Sequence, residues 1–268
     1  MKLSKIALAA VLVASSSAAL AADGWSWSDV SINYLNWTKA TEDKSNPPNA
    51  VFGAKKDFVY LEIEGGMGGA WGDLYGFFDI ENPTNNTNNA SDNRADRRQA
   101  LKIVGRYNLT KIGDIPLMAY AHVYDFVDNG FNDQNRVLGF ATDIKSGKFT
   151  ISPWIGVHQE SKTGVGVMSN GGMAGFNMMY PFEVSGQSFL LFQWHEMEFG
   201  RKNEFLAFGN NLASKDYSEN KTGQNGAIGI NWNLTKQIVP SLTYRYAKNK
   251  LGIAGYESAW IFTTRYNF

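Results

Sequence analysis

The strongest constraint on the fold is a side-chain alternation with a period of two, which recurs along most of the chain. Val59, Leu61 and Ile63 point to one face of their segment, while Tyr60 and Glu62 point to the other. The same alternation recurs in three further segments: 70–81, 100–107 and 260–268. Sustained alternation is typical of a β-strand that has a different environment on each face. The sequence therefore predicts an all-β fold.

The polar gaps between these segments are long and short in turn. The long gaps are 39–56, 82–97, 128–133, 160–171, 200–224 and 249–255. The short gaps are 65–69, 110–114, 146–147, 185–186 and 235–237. Outer-membrane barrels have short periplasmic turns, long extracellular loops and an even number of strands. We therefore predict a transmembrane antiparallel β-barrel of about 12 strands, in which 200–224 is a structured loop rather than an additional strand.

The first residues predict a secretory signal peptide. Lys2 and Lys5 precede an apolar stretch at 6–14, and Ala19-Leu20-Ala21 is an A-x-A cleavage site. The apolar stretch is too short to span a bilayer, because spanning takes about 20 residues. We expect cleavage after Ala21, which leaves 22–268 as a single barrel domain.

Composition agrees with the outer membrane of a Gram-negative cell. The chain has no cysteine, which excludes disulfide scaffolds and thiolate metal sites. Its formal net charge is zero, so nothing in the charge balance favours a nucleic acid polymer as partner. The terminal Phe268 follows apolar residues spaced two apart, as in a last barrel strand. We expect membrane lipid, lipopolysaccharide and the barrel-assembly machinery as partners.

Several motifs resemble one family. The segment 73–79, Asp-Leu-Tyr-Gly-Phe-Phe-Asp, is similar to the D-x-Y-G-[FY]-x-D strand of the nucleoside-specific channels Tsx and OmpK. Tyr124-Asp125, the segment GFATDI at 139–144 and the ending RYNF also resemble that family, the OmpK branch most closely. The resemblance implies a monomeric barrel that passes nucleosides and related solutes. It also implies that surface loops can serve a bacteriophage as receptor.

Charged side chains identify the face that lines the lumen, because Arg or Lys facing lipid at mid-membrane costs about 2–4 kcal/mol. We predict a solute-binding lumen formed by Phe58, Tyr60, Glu62, Trp71, Asp73, Tyr75, Phe77, Asp79, Lys102, Arg106, Tyr120, His122, Tyr124, Asp143 and Arg245. Trp154 and Arg265 share this parity. Aromatic rings can stack on a nucleobase, worth about 1–3 kcal/mol per base, and the charged groups can bond sugar hydroxyls and base edges.

Three alternatives remain from the sequence, one of which is a barrel hydrolase that would use His195-Glu196 near the outer end of a strand. The inward charges can simply brace the barrel walls and the aromatics can fill the lumen, which would give a general narrow porin or a plugged receptor barrel. The parity is ambiguous at 193–196, where Trp194 and Glu196 compete with Gln193 and His195 for the inner face.

Other patterns predict no chemistry. The chain has three histidines and neither an HExxH nor a GxSxG motif, so we expect no enzyme, no cofactor and no metal site. The glycine run 65–69 is interpreted as a periplasmic turn rather than a phosphate loop, because no helix follows it. Five aromatic residues are assigned to the interfacial girdle: Trp25, Trp27, Trp37, Tyr180 and Trp260.

The polar gaps 39–56, 82–97 and 200–224 should be exposed at the cell surface. Epitope tags inserted at Asn88 or Ser218 should be detected by antibody on intact cells, because solvated loops tolerate insertion. Tags that are detected only after the outer membrane is permeabilised would contradict this topology.

Overall fold

A computed structural model describes residues 24–45, 55–86, 96–209, 221–252 and 254–268. The predicted signal peptide and the tag positions Asn88 and Ser218 lie outside these residues. The strands are β1 (Trp25–Trp37), β2 (Phe58–Gly69), β3 (Gly72–Glu81), β4 (Arg98–Ile112), β5 (Ile115–Asp128), β6 (Phe131–Ala141), β7 (Ile144–Ser146), β8 (Phe149–Lys162), β9 (Gly166–Val184), β10 (Gln187–Phe199), β11 (Gly223–Asn233), β12 (Ile238–Lys248) and β13 (Tyr256–Asn267).

These strands form a closed antiparallel ring. Each strand pairs with its neighbours along the chain, and β1 pairs with β13 from Asp29 opposite Asn267 to Trp37 opposite Ala259. The β1–β13 pairing joins the two ends of the chain, and the pairing of β6 with β8 leaves the sheet with no open edge. The short β7 continues β6 on the same partner strand after a break at Thr142 and Asp143. The two therefore count as one barrel strand, and the predicted twelve-stranded transmembrane barrel is confirmed.

Polar residues lie inside the ring and apolar residues lie outside, as β1 shows. Asp29, Ser31 and Asn33 are 2%, 2% and 3% exposed, whereas Ile32 and Tyr34, which alternate with them, are 54% and 42% exposed. A soluble protein has the opposite arrangement. Hydrocarbon favours apolar side chains on the outer face of a membrane barrel, and the inner face accepts the polar ones.

Two loops predicted to be long are tight turns. Strand β5 continues to Asp128 and β6 starts at Phe131, while β8 and β9 are joined by 163–165. The prediction was wrong because polar residues of these segments bond one another within paired strands. They do so on the outer face between β5 and β6, and in the lumen between β8 and β9, where Glu160 accepts from Lys162 and Asn170. The Asp125 carboxylate accepts hydrogen bonds from Asn132 Nδ2 at 2.7 Å and Gln134 Nε2 at 3.2 Å.

The glycine run 65–69 is a strand segment, so its interpretation as a turn was also wrong. Strand β2 runs through Gly69, and the turn is formed by Ala70 and Trp71. The glycines make room for tryptophan rings of β1: a Cβ on Gly68 would lie 2.6 Å from Trp25 Cζ2, and one on Gly66 2.9 Å from Trp27 Nε1.

Three of the five girdle assignments were wrong. Trp25 and Trp27 line the lumen. Trp37 is 7% exposed and packs inside with Leu35, Ala259 and Ile261. Their parity on β1 is that of Asp29, so all three point inward. Tyr180 and Trp260 lie on the outer face, 42% and 41% exposed, which agrees with their assignment.

Two short helices lie at the end of the barrel that carries the longer loops. Helix α1 (Lys39–Ser45) follows β1, where Thr41 Oγ1 donates to the Ser258 carbonyl at 3.1 Å. Helix α2 (Asn203–Gly209) lies in the segment between β10 and β11. That segment thus contains helix rather than an additional strand over its described residues, as predicted. No helix in the described ranges is long and apolar enough to span a membrane.

The seam between β6 and β8 has no room for a side chain at Gly139. A Cβ there would lie 2.0 Å from the Ile155 carbonyl oxygen, so Gly139→Ala must separate β6 from β8. We expect a loss of stability of about 1–3 kcal/mol, as for overpacking, measured as the urea midpoint of the heat-modifiable band on a semi-native gel.

The matched control is Gly105→Ala on β4, where the nearest atom would be 3.9 Å away. Its midpoint should equal that of the unchanged chain. Equal midpoints for both variants would show that the β6–β8 seam is not tightly packed.

Candidate solute pathway

The lumen is a cavity of about 1270 Å³ that is bordered by residues from most of the ring. Of the residues predicted to face it, the structure places these on its lining: Phe58, Tyr60, Glu62, Asp73, Tyr75, Phe77, Asp79, Lys102, Arg106, Tyr120, His122, Tyr124 and Arg245. Alternation therefore identified the inner face of β2, β3, β4 and β5 correctly.

Two predicted residues are not on this lining. Trp71 lies in the β2–β3 turn and is 42% exposed, because β3 begins only at Gly72. Its expected place on an inward row with Asp73 was wrong. Asp143 lies in the break between β6 and β7, where its carboxylate accepts from Arg106 Nη1 and from Ser152 Oγ, both at 2.6 Å.

Ion pairs fill one side of the lumen, which we call the paired half: the inner faces of β4, β5, β6, β8, β9 and β10. Arg106 donates to both carboxylate oxygens of Asp73, at 2.9 and 2.6 Å, as well as to Asp143. Nearer the long-loop end, Lys162 pairs with Asp133 at 3.1 Å and Glu160 at 2.5 Å. These charges already have partners and offer little to a solute.

Packed rings occupy the space between these ion pairs. Tyr120 stacks on Trp154 with ring centroids 4.7 Å apart, and His122 meets the same indole edge-on at 5.2 Å. Met118 and Met173 complete the cluster, at 5% and 1% exposure. These rings occupy lumen volume along the paired half.

Helix α2 covers the long-loop end of the paired half. Its Phe205 and Leu206 are 3% and 1% exposed, and Lys162 Nζ lies 5.6 Å from the Phe205 ring. Beside it, Lys250 Nζ pairs with Glu198 at 2.7 Å. Burial alone would lower the pKa of Lys250, but the Glu198 and Glu196 carboxylates outweigh it and raise that pKa.

The ambiguous parity at 193–196 is resolved by these contacts. Glu196 points inward, where it pairs with Lys102. On the outer face, the hydroxyl of Tyr246 lies 3.0 Å from His195 Nδ1 and accepts from Gln193 Nε2 at 3.3 Å. The sequence analysis missed Glu196, Glu198 and Lys250, because both faces of this segment carry polar residues and Lys250 lies outside any strand.

The other side of the lumen, which we call the open half, is formed by β1, β2, β3, β11, β12 and β13. Two of its carboxylates are neighbours in the β2–β3 register, Glu62 opposite Asp79. Arg245 lies on β12, with its guanidinium 6.0 Å from the Trp194 ring. Among the described residues, none of these three groups has an ion-pair partner within 4 Å, and Arg245 Nε has no hydrogen-bond partner.

Aromatic rings border these unpaired charges. Phe77 lies between Tyr75 and Asp79 along β3, with the Tyr75 ring 6.4 Å away and edge-on. The Tyr75 hydroxyl donates to Glu64 at 2.7 Å, and Glu64 also pairs with Arg265 at 2.7 Å. The open half thus combines held aromatic faces with two carboxyl groups and a guanidinium that form no ion pair among the described residues, beside the Arg265–Glu64 pair.

Comparison with known proteins assigns the chain to a family. The sequence model of the nucleoside-specific channel-forming protein Tsx matches residues 32–268. Among solved structures, a KdgM porin is similar at 8% identity and a TM-score of 0.46, over 89% of this chain and 99% of that one. The outer membrane channel DcaP of Acinetobacter baumannii is 9% identical, with a TM-score of 0.38, over 92% and 97%. Because the family model covers the bulk of the chain, this protein belongs to the Tsx family of nucleoside-specific channel-forming proteins and is a channel-type barrel of the Gram-negative outer membrane.

Proposed function

We propose that the protein is a channel for nucleosides and related small solutes, and that the open half of the lumen is their pathway. The observation that carries this proposal is a group of charged residues, Glu62, Asp79 and Arg245, that form no ion pair within the described part of the chain and lie beside aromatic rings. Glu62 and Asp79 face each other as a pair of carboxyl groups, with Ser31 Oγ 3.5 Å from Glu62 Oε1, and no cation neutralises either one among the described residues. Their remaining oxygens can therefore bond a passing solute. The paired charges of the opposite half already have partners.

A nucleoside fits the chemistry of this surface. Its base can stack on a ring such as Phe77, and its sugar hydroxyls can donate to the carboxylates of Glu62 and Asp79. Bonds to charged partners are about twice as strong as neutral ones. The guanidinium of Arg245 can donate to a carbonyl or ring nitrogen of the base. An uncharged solute with an aromatic face can therefore use every unpaired group without neutralising any of them.

Transport also requires that the solute leave. A site suits conduction when its binding is strong enough to admit the solute and weak enough to release it. Stacking and exposed hydrogen bonds meet this requirement, since each contributes only a few kcal/mol at most. We infer from the same chemistry that Asp73 supports the wall rather than the solute, because Arg106 already occupies both of its oxygens.

The outer wall supports the remaining partners that we propose. Its exposed apolar residues, among them Ile32 and Phe262, fit a membrane of lipid and lipopolysaccharide. We also propose that the terminal Phe268, bonded through its backbone to Ser28 at 3.1 Å, is read by the assembly machinery. Use of the surface loops by a bacteriophage rests on the family resemblance.

Phe77→Ala and Asp79→Asn should each weaken nucleoside passage. Loss of about 1–3 kcal/mol of stacking corresponds to a roughly 5- to 150-fold lower affinity for adenosine. The measurement is adenosine uptake into proteoliposomes at micromolar concentration, together with uptake of an uncharged sugar of similar size that has no aromatic base. Adenosine uptake should fall and sugar uptake should not.

Phe262→Ala is the matched control, because it makes the same change on the outer wall, where Phe262 is 52% exposed. Its adenosine uptake should be unchanged. Equal losses for adenosine and the sugar in Phe77→Ala would mean that the ring only shapes a general narrow pore.

A further inference from the structure

We infer that the ion pair between Lys102 and Glu196 is a bar across the lumen that confines the solute pathway to the open half. The identification of that half as a nucleoside pathway rests on the proposed function. The division of the lumen by this ion pair is independent of the proposed function.

The strand order shows that this pair crosses the barrel. Lys102 lies on β4 and Glu196 on β10. In the ring of twelve, β10 is reached from β4 after five steps by way of β6 and after seven by way of β1. The two strands therefore stand on nearly opposite walls, and a direct pair between their side chains must extend through the interior.

The other ion pairs of β4 do not cross in this way. Arg98 pairs with Glu81 at 2.7 Å, and these two residues are register neighbours on β4 and β3. Arg106 and Asp73 are register neighbours on the same two strands. Pairs of this kind lie along the wall and leave the width of the lumen unchanged.

The bar stands at the edge of the packed rings. Glu196 is the register partner of Gly175 on β9, and a Cβ on Gly175 would lie 2.7 Å from Trp154 Cζ2. The indole of Trp154 thus fills the space that a side chain would need beside Glu196. On the other side of the bar, Lys102 is the register partner of Phe77, the ring proposed to bind the solute.

Both members of the bar are partly shielded from water. Their side chains are 15% and 14% exposed. A bar of this kind reduces the aqueous cross-section of the lumen, because its two side chains occupy space and carry a fixed pair of charges. Removing either member should free the other to fold back against its own wall, which would widen the aqueous cross-section.

Single-channel conductance in planar bilayers tests this inference without any nucleoside. Lys102→Met and Glu196→Gln should each raise the potassium chloride conductance, by about 1.5-fold if the water-filled cross-section grows by half. The double variant with Lys102→Glu and Glu196→Lys rebuilds the pair in reverse and should return the conductance to the original value. A heat-modifiable band on a semi-native gel verifies folding for each variant.

Glu81→Gln is the matched control, since it breaks an ion pair of β4 that runs along the wall. Its conductance should stay at the original value. Unchanged conductance in both single variants, or failure of the reversed pair to restore it in folded protein, would overturn the bar. If the conductances behave as expected while adenosine and the sugar pass equally well, the nucleoside proposal fails and the bar stands.

Discussion

The structure depends on one constraint: in hydrocarbon, every backbone N–H and C=O must find a partner within the protein. A sheet meets it only by closing on itself. The pairing of β1 with β13 closes the ring, and between β6 and β8 Gly139 lies opposite Gly156 and lets two backbones approach without side chains between them. The break at Thr142 and Asp143 is tolerated because it lies where β7 resumes the same pairing and Asp143 bonds Arg106.

Closure of the barrel gives its wall an apolar face toward lipid and a polar face toward the lumen. The polar face is the one that can contact a solute. Charges excluded from the lipid face accumulate in the lumen, where a charge with a partner acts as a brace and a charge without one can bind a solute. Arg106 and Lys162 belong to the first kind. Glu62, Asp79 and Arg245, which form no ion pair with any residue that the structure describes, belong to the second. The proposed selectivity follows from this uneven distribution of partners around the ring.

Local pattern predicted the fold and most of the lining, because alternation is a property of a single strand. It failed where both faces are polar, as at 128–133, and where glycines serve neighbouring rings, as at 65–69. Local sequence pattern could not predict contacts across the lumen. Lys102 and Glu196 are 94 residues apart, and their meeting depends on the strand order of the ring and on side-chain reach, neither of which the spacing of residues encodes.

Single-cysteine accessibility tests the division of the lumen most directly, because the chain has no cysteine of its own. Asp79→Cys lies in the open half, and Met173→Cys lies in the paired half at a position that is 1% exposed. A cationic methanethiosulfonate reagent should modify Asp79→Cys in folded protein and lower its conductance, while Met173→Cys should react only after unfolding. Equal modification of both cysteines in folded protein would contradict a lumen with one open and one filled half.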